Sequence, residues 1–283
     1  MSLLSTYPGL LHALSHEMTP KFLASRSSDG FPNVVPVTSL MPAGDIEDRL
    51  IFGNFLLRKS VRNLDADARV GILVITTDLE GWVLHGDFLG WQRTGAYVDC
   101  INSTDLLRYN AYTGIRNAGI VQVREILNHF HISKPRVLAD YLLARVFALA
   151  AAPSIPPAAT GTSFLPEKVA TLPRPAREAF SPMTAVRVLA FLGGGYPRTV
   201  PVLSLQPAGD NKLVCSEGLA GGLLGPLSGG APVAASLLTL DVISFQAKGR
   251  WLGRKSLLGG TVGAMAVTSV YAGGPPIPGR RVA

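Results

Sequence analysis

The chain has 283 residues, of which 47% are hydrophobic and 16% are charged. This composition excludes long disordered tracts and leaves room for two domains of ordinary size. The net charge of +7 favours an anionic partner. Because the chain has no Lys/Arg-rich run and no interleaving of aromatic and basic residues, we expect a small-molecule ligand and no nucleic acid.

The predicted elements begin with a helix at about 8–19 and a strand at 22–26. The strand containing residues 34–37 ends in the turn Pro-Ala-Gly-Asp, and another strand follows at 50–52. A short helix is predicted at 59–66, and a hairpin is predicted from strands at 70–76 and 82–90 around the turn at 78–81. Helical spacing returns at 134–149, before a Pro/Ala/Gly linker at 151–162.

The second half of the chain repeats the first. Residues 32–45 (PNVVPVTSLMPAGD) and 197–210 (PRTVPVLSLQPAGD) are identical at ten of fourteen positions. A second helix at about 165–180 and a second set of short strands follow the same plan. We therefore predict a mainly β fold of two tandem β-barrels: a first domain at 1–127, a connection at 128–164, and a degenerate second domain at 165–283.

The predicted helix at 59–66 carries its charges in an unfavourable order. Arg58, Lys59 and Arg62 lie near its positive N-terminal end, and Asp65 and Asp67 lie near its negative end. An anion bound at the helix start would remove this conflict, since backbone N–H groups, cations and the Ser60 hydroxyl would converge on it. A solvated charged turn is the alternative.

The second copy replaces this cluster with residues that cannot bind an anion in the same way. Gly221 and Gly222 align with Arg58 and Lys59, and Leu223 aligns with Ser60. Glycines and a proline make the same helix unfavourable there. The contrast favours an anion site in the first copy alone.

The order of these motifs resembles the pyridoxamine 5′-phosphate oxidase-like proteins, which are FMN-binding split barrels. The motifs are PNVVPV at 32–37, FGNF at 52–55, RKSxxNL at 58–64, ARV at 68–70 and LHG at 84–86. They cover most of residues 20–126, and the resemblance is weaker at 185–283. It implies an intrachain pseudo-dimer with FMN at the interface of the two barrels.

The resemblance also implies which residues hold the cofactor. Lys59 and Ser60, with Arg58 beside them, match the phosphate-binding residues. The flavin-facing strand and the segment that closes over the flavin match Val35, Pro36, Val37, Thr38, Phe52, Gly53 and Asn54. We expect one FMN per chain, with Trp251 of the second copy stacking against the site. The expected function is that of an oxidoreductase or electron-transfer flavoprotein acting on a small-molecule redox substrate or electron donor.

Other features leave alternatives open. His129 and His131 are separated by one residue and are candidate ligands for haem. The second hypothesis is therefore a non-catalytic protein that binds haem or another anionic ligand. His12 and His16 lack a third ligand, so no metal site is predicted. Arg280 and Arg281 could reach the cofactor.

The setting of the protein is predicted from other signals. Cys100 and Cys215 do not form a CxxC pair, and the N-terminus lacks the basic start of a secretory signal, so a cytoplasmic protein is expected. The most apolar stretch, at 141–152, is too short to span a bilayer, and no membrane association is expected. We expect a monomer with an internal pseudo-dimer, or a further homodimer of it.

Overall fold

A computed structural model describes residues 2–55, 57–104, 114–151, 169–218, 220–274 and 277–283. The expected fold class is confirmed, because the described residues form two antiparallel sheets with short helices. We call residues 2–131 the first half and residues 169–283 the second half. The expected linker at 151–162 and the start of the helix expected at 165–180 fall almost entirely outside the described residues.

The first half contains seven of the described strands and three short α-helices. The strands are β1 (Lys21–Arg26), β2 (Pro32–Pro36), β3 (Met41–Pro42), β4 (Arg49–Gly53), β5 (Arg69–Ile75), β6 (Glu80–Gln92) and β7 (Ala118–His131). The helices are α1 (Pro8–Ser15), α2 (Lys59–Ala66) and α3 (Ala96–Asn102), and a 3₁₀ turn spans Leu4–Thr6. The sheet order is β2-β1-β5-β6-β7-β4-β3, so β2 lies at one edge.

The second half repeats this arrangement. Helix α4 (Lys134–Ala151) precedes it, and its own helices are α5 (Arg174–Phe180) and α6 (Gly221–Leu224). Its strands are β8 (Val186–Gly193), β9 (Tyr196–Pro201), β10 (Gln206–Pro207), β11 (Lys212–Ser216), β12 (Pro232–Leu238), β13 (Phe245–Leu257) and β14 (Gly260–Ala272). The sheet order is β10-β11-β14-β13-β12-β8-β9, which is the first order read backwards, strand for equivalent strand.

Some boundaries differ from the sequence-based expectation. Strand β7 continues to His131, so the first unit extends beyond residue 127. Helix α1 ends at Ser15 and not near residue 19, because His16 is already extended and Lys21 begins the next strand. The predicted helix at 59–66 is found with those bounds as α2, and the glycine-rich counterpart retains a single turn, α6.

The two halves pack together through a shared apolar core. Phe22, Ala24 and Val34 of the first half lie in one buried cluster with Val188, Ala190 and Ala234 of the second half. The backbones of the halves approach each other closely beside Gly71, where an added Cβ would lie 2.1 Å from the carbonyl oxygen of Pro197.

Polar bonds also cross this boundary. Gln246 Nε2 donates to the carbonyl oxygen of Val34 at 2.5 Å, and the Tyr196 hydroxyl donates to Asp87 Oδ1 at 2.9 Å. The halves therefore form an intrachain pair about a pseudo-twofold relation.

Candidate cofactor site between the halves

A cavity opens between the first and second halves. The first half contributes Asn33, Val35, Pro36, Val37, Thr38, Ser39, Gly53, Phe55, Leu57, Arg58, Lys59 and Ser60 to its lining. The second half contributes Leu238, Val242, Ser244, Gln246, Tyr271, Ala272, Gly273, Gly274 and Gly279. The cavity volume is about 180 Å³. Because closed ligand pockets measure about 300–1,000 Å³, a dinucleotide-sized or FMN-sized ligand would extend beyond this cavity into solvent.

Arg58 and Lys59 lie at the start of helix α2, where the cavity meets the positive end of the helix dipole. Arg58 is the N-cap residue and makes no side-chain cap hydrogen bond, and the first turn contains no acidic residue. Arg58 is exposed, and none of the ion pairs found among the described residues includes it. The first turn of α2 thus presents backbone N–H groups and cations that lack an anionic partner in the described chain.

Lys59 faces an aromatic ring from the other half. Its Nζ lies 2.9 Å from the ring centroid of Tyr271, a cation–π contact. Burial favours the neutral phenol, but hydrogen bonds with Ser269 and Lys59 outweigh burial, and the pKa of Tyr271 is lower than usual. The two halves therefore meet at the cationic end of the cavity through Lys59 and Tyr271.

A buried polar layer supports this end of the site. Ser60 is 2% exposed, and its hydroxyl accepts a hydrogen bond from Asn33 Nδ2 at 3.1 Å. Among the described residues, no acceptor for the Ser60 hydroxyl proton is found, and a ligand oxygen in the cavity could accept it. Asn63 Nδ2 donates to Ser25 and Ser27, and Lys248 Nζ of the second half donates to Ser27 at 3.1 Å.

Strand β2 supplies the long wall of the cavity. Val35, Pro36, Val37 and Thr38 all line it, as the sequence predicted. Because β2 is an edge strand, its outer edge has no neighbouring strand in the sheet, and Pro36 is tolerated there. Lys21 holds the end of this wall, since its backbone oxygen accepts from Val37 N at 2.7 Å and its Nζ donates to Thr38 O at 3.3 Å.

Three of the expected site residues do not belong to the described lining. Phe52 is fully buried against Phe88 and Trp91, because strand alternation turns it away from the face on which Gly53 lines the cavity. Asn54 is buried beside the cavity and is absent from its described lining; its backbone pairs with Asn117 and Arg116.

Trp251, which we expected to stack against the site, is the third of these residues. It is 1% exposed within the apolar core of the second half. It lies five positions beyond the lining residue Gln246 on the same strand, which is about 17 Å at the usual rise per residue. Tyr271, which the sequence did not single out, is the aromatic residue that the second half contributes to the described lining.

The other candidate residues do not belong to the described lining. His129 is exposed, bonds to Glu80 at 2.8 Å and stacks on Trp82, while His131 is exposed nearby at the end of β7. Arg281 donates to the backbone of Thr268 and Ala283, and Arg280 does not belong to the described lining. Within the described residues, no group of three or more His, Cys, Asp or Glu is placed to hold a metal ion.

The pseudo-symmetric counterpart of the cavity is filled by helix α4. In the first half, Ser39 Oγ accepts from Gly53 N at 2.9 Å, and in the second half Ser204 Oγ accepts from Ser216 N at 3.0 Å. At the second position, the Ser216 hydroxyl donates to Asp140 of α4 at 2.8 Å. A carboxylate thus occupies the place that is equivalent to the cation-lined cavity, and it would repel an anionic ligand.

Comparisons with known proteins give matches of structure alone. The solved structures that resemble the chain include an FMN-binding protein from Syntrophomonas wolfei, with 18% identity over 47% of this chain and 88% of that chain and a TM-score of 0.38. A pyridoxamine 5′-phosphate oxidase-related, FMN-binding protein from Nostoc punctiforme matches at 12% identity over 48% of this chain and 89% of that chain, with a TM-score of 0.34. The haem storage protein HutZ from Vibrio cholerae matches at 12% identity over 46% of this chain and 95% of that chain, with a TM-score of 0.34.

Each likeness covers about one half of the chain. No known family's sequence profile matches the chain, and no curated protein sequence matches it. The functional argument therefore rests on the residues of the site.

Among the described residues, no helix has both the length and the apolar character that crossing a membrane requires.

Proposed function

We propose that this protein is a flavoprotein that holds one FMN between its two halves and acts as an oxidoreductase or electron-transfer protein. The observation that carries the proposal is the meeting of Arg58, Lys59 and Ser60 at the start of α2, in a cavity that both halves line. Cations, a buried hydroxyl and free helix N–H groups are the donors that a phosphate monoester requires.

The donors present fit the phosphate of FMN. Arg58 and the first turn of α2 lack acidic partners within the described residues, and the Ser60 hydroxyl has a proton to donate. The edge strand β2 would lie along the remainder of the ligand, with Val35, Pro36 and Val37 providing apolar contact. FMN would supply the hydride or electron transfer, while the chain binds it, orients it and excludes water.

The asymmetry between the halves supports one cofactor per chain. The residues equivalent to Arg58, Lys59 and Ser60 are Gly221, Gly222 and Leu223, and Asp140 occupies the equivalent space beside Ser216. The second half would act as a wall of the first site through Gln246 and Tyr271.

Haem or another anionic ligand is the second candidate for the same cavity. Within its described lining, Tyr271 is the residue type that can ligate haem iron, and no His, Cys or Met is found there. The two exposed histidines of β7 lie outside this lining. We therefore place FMN ahead of haem.

The absorbance spectrum of the purified protein and the FMN content per chain test the proposal. We expect flavin bands and about one FMN per chain, whereas a Soret band would favour haem. The variant Lys59→Gly reproduces the second copy and loses a charge-assisted bond that is worth about 1.5–3 kcal/mol, which corresponds to roughly a 10- to 150-fold weaker Kd for FMN.

The variant Lys255→Gly is the control, because Lys255 is exposed on β13 and absent from the described lining. It should bind FMN as the wild type does. An unchanged FMN affinity in Lys59→Gly would contradict the assignment of the phosphate site.

A further inference from the structure

The charges of the cavity lining indicate what kind of second molecule it can accept. Arg58 and Lys59 are the charged residues of the described lining, and both lie in one segment at the start of α2. If they neutralise the phosphate of FMN, as the proposed function requires, no other charged residue of the described lining remains to pair with a charged substrate. The rest of the lining is rich in apolar residues, among them Val35, Phe55 and Leu238.

The turn between β12 and β13 extends this apolar surface at the edge of the cavity. Leu240, Val242 and Ile243 are 82%, 64% and 47% exposed, and Val242 is also part of the lining. Val242 has a φ of 59°, a left-handed conformation that is unfavourable for a β-branched residue. Leu79, the equivalent residue of the first-half turn, has a φ of 65°, so this conformation belongs to the turn geometry of both halves.

The equivalent turn of the first half shows that the apolar residues at 240 and 243 are not needed to form the turn. Thr76 Oγ1 accepts from Glu80 N at 3.2 Å there, and Thr239 Oγ1 accepts from Ile243 N at 3.0 Å here. Glu80 therefore corresponds to Ile243, and Thr77 corresponds to Leu240.

The two turns differ in what covers them. The first-half turn packs against the chain around α4, where the backbone oxygen of Leu79 accepts from Ile132 N at 2.9 Å. The second-half turn has exposed apolar side chains where its twin has Thr77 and Glu80. Exposed apolar surface that continues a cavity is typical of a ligand-binding site.

We propose that the site takes an uncharged, apolar substrate that packs against the turn at 239–243. The inference rests on the proposed function, since it requires that the phosphate of FMN neutralises Arg58 and Lys59. Because FMN alone would extend beyond the cavity, a substrate would lie outside it, against Leu240 and Ile243.

Binding of two redox-inert probes to the FMN-loaded protein tests this inference without measuring turnover. The probes are 2-naphthol and 2-naphthoate, which share a ring system but differ in charge at neutral pH. Isothermal titration calorimetry should give a Kd for 2-naphthol at least about ten-fold lower than that for 2-naphthoate. Equal or tighter binding of 2-naphthoate would overturn the proposal.

A double variant, Leu240→Thr with Ile243→Glu, installs the residues of the first-half turn, whose backbone geometry they already support. It should weaken 2-naphthol binding at least about five-fold and leave the FMN content at the wild-type value. Leu89→Thr is the matched control, because Leu89 is 51% exposed on β6 and is not part of the described lining. Unchanged 2-naphthol binding in the double variant would overturn the assignment.

Two further readouts separate the alternatives. Sedimentation velocity tests whether the wild type is a dimer that dissociates in the double variant. If it is, and if the double variant binds 2-naphthol as the wild type does, the turn is a contact between two copies and the substrate assignment is refuted. A wild-type protein that binds no FMN would instead refute the proposed function, and this is read from the flavin absorbance before any probe is added.

Discussion

The contact beside Gly71 gives a sharp test of how the two halves are joined. Its strand, β5, faces the backbone of Pro197 on β9 so closely that an alanine Cβ would lie 2.1 Å from the Pro197 oxygen and 2.9 Å from its carbonyl carbon. Both contacts are with main-chain atoms, so no flexible side chain can move aside. We expect Gly71→Ala to push the halves apart.

Overpacking of this kind costs about 1–3 kcal/mol. For a chain of this size, each kcal/mol lowers the unfolding midpoint by roughly 2–4 °C, so we expect a decrease of about 2–12 °C. Calorimetry or thermal denaturation followed by circular dichroism measures it. Because the cavity is built from both halves, the affinity for FMN should fall as well.

Gly222→Ala is the matched control. No atom lies within 4 Å of a Cβ built at Gly222, which is exposed in helix α6. Alanine is favoured over glycine in a helix, so this variant should keep or raise stability by up to about 1 kcal/mol. If Gly71→Ala were as stable as the wild type, the close approach of the two halves would be wrong.

Two more predictions follow from buried groups. His85 is stacked on Tyr196, and burial, aided by the charge of Arg198, lowers the pKa of His85 to about 4. An unfolded histidine titrates near 6.5, so the unfolded state binds more protons between about pH 4 and 6.5, and stability should fall as the pH is lowered through that window. Urea unfolding should show a flatter pH profile for His85→Phe than for the wild type; equal slopes would refute the role of His85. The variant Asp140→Ala removes the carboxylate from the place that is equivalent to the cavity. It should lower the free energy of unfolding by about 1–3 kcal/mol, because the Ser216 hydroxyl loses its hydrogen-bond acceptor. The FMN content should stay at about one per chain in this variant, and a second bound FMN, detected by absorbance, would contradict the requirement for cations.

The sequence predicted the parts of the fold that depend on local pattern. The repeated segment at 32–45 and 197–210 indicated two equivalent units, and the two sheets have equivalent strand orders. Helix α2 was predicted with its observed bounds, because the spacing of Val61 and Leu64 gives the segment one buried side. Residues 35–38 and the cations at 58–59, which the sequence assigned to one site, line the same cavity.

The contribution of the second half could not be predicted in the same way. Which of its residues reach the cavity depends on how the two sheets are rotated against each other and on the irregular pairing of β13 with β14. Trp251 was chosen for its chemistry, and the strand carries it into the core. Tyr271 gave no signal, since a single tyrosine near the end of a strand has no distinctive neighbours in the sequence.

For a related reason, the sequence could not predict that helix α4 occupies the equivalent place in the second half. The spacing at 134–149 predicted a helix but did not indicate the surface on which it lies. Only the fold shows Asp140 against Ser216, at a separation of 76 positions along the chain.

Equivalent positions of the contact between the halves carry different residues. Gly71 pairs with Ala24, and Ala234 pairs with Ala190 in the equivalent place, so the second half has a methyl group where the first half has none. The Ala234 methyl packs in the buried cluster that both halves share, whereas the same group at position 71 would lie 2.1 Å from the Pro197 oxygen. A chain with a methyl group at both positions could not close this contact, so the two copies are not interchangeable here.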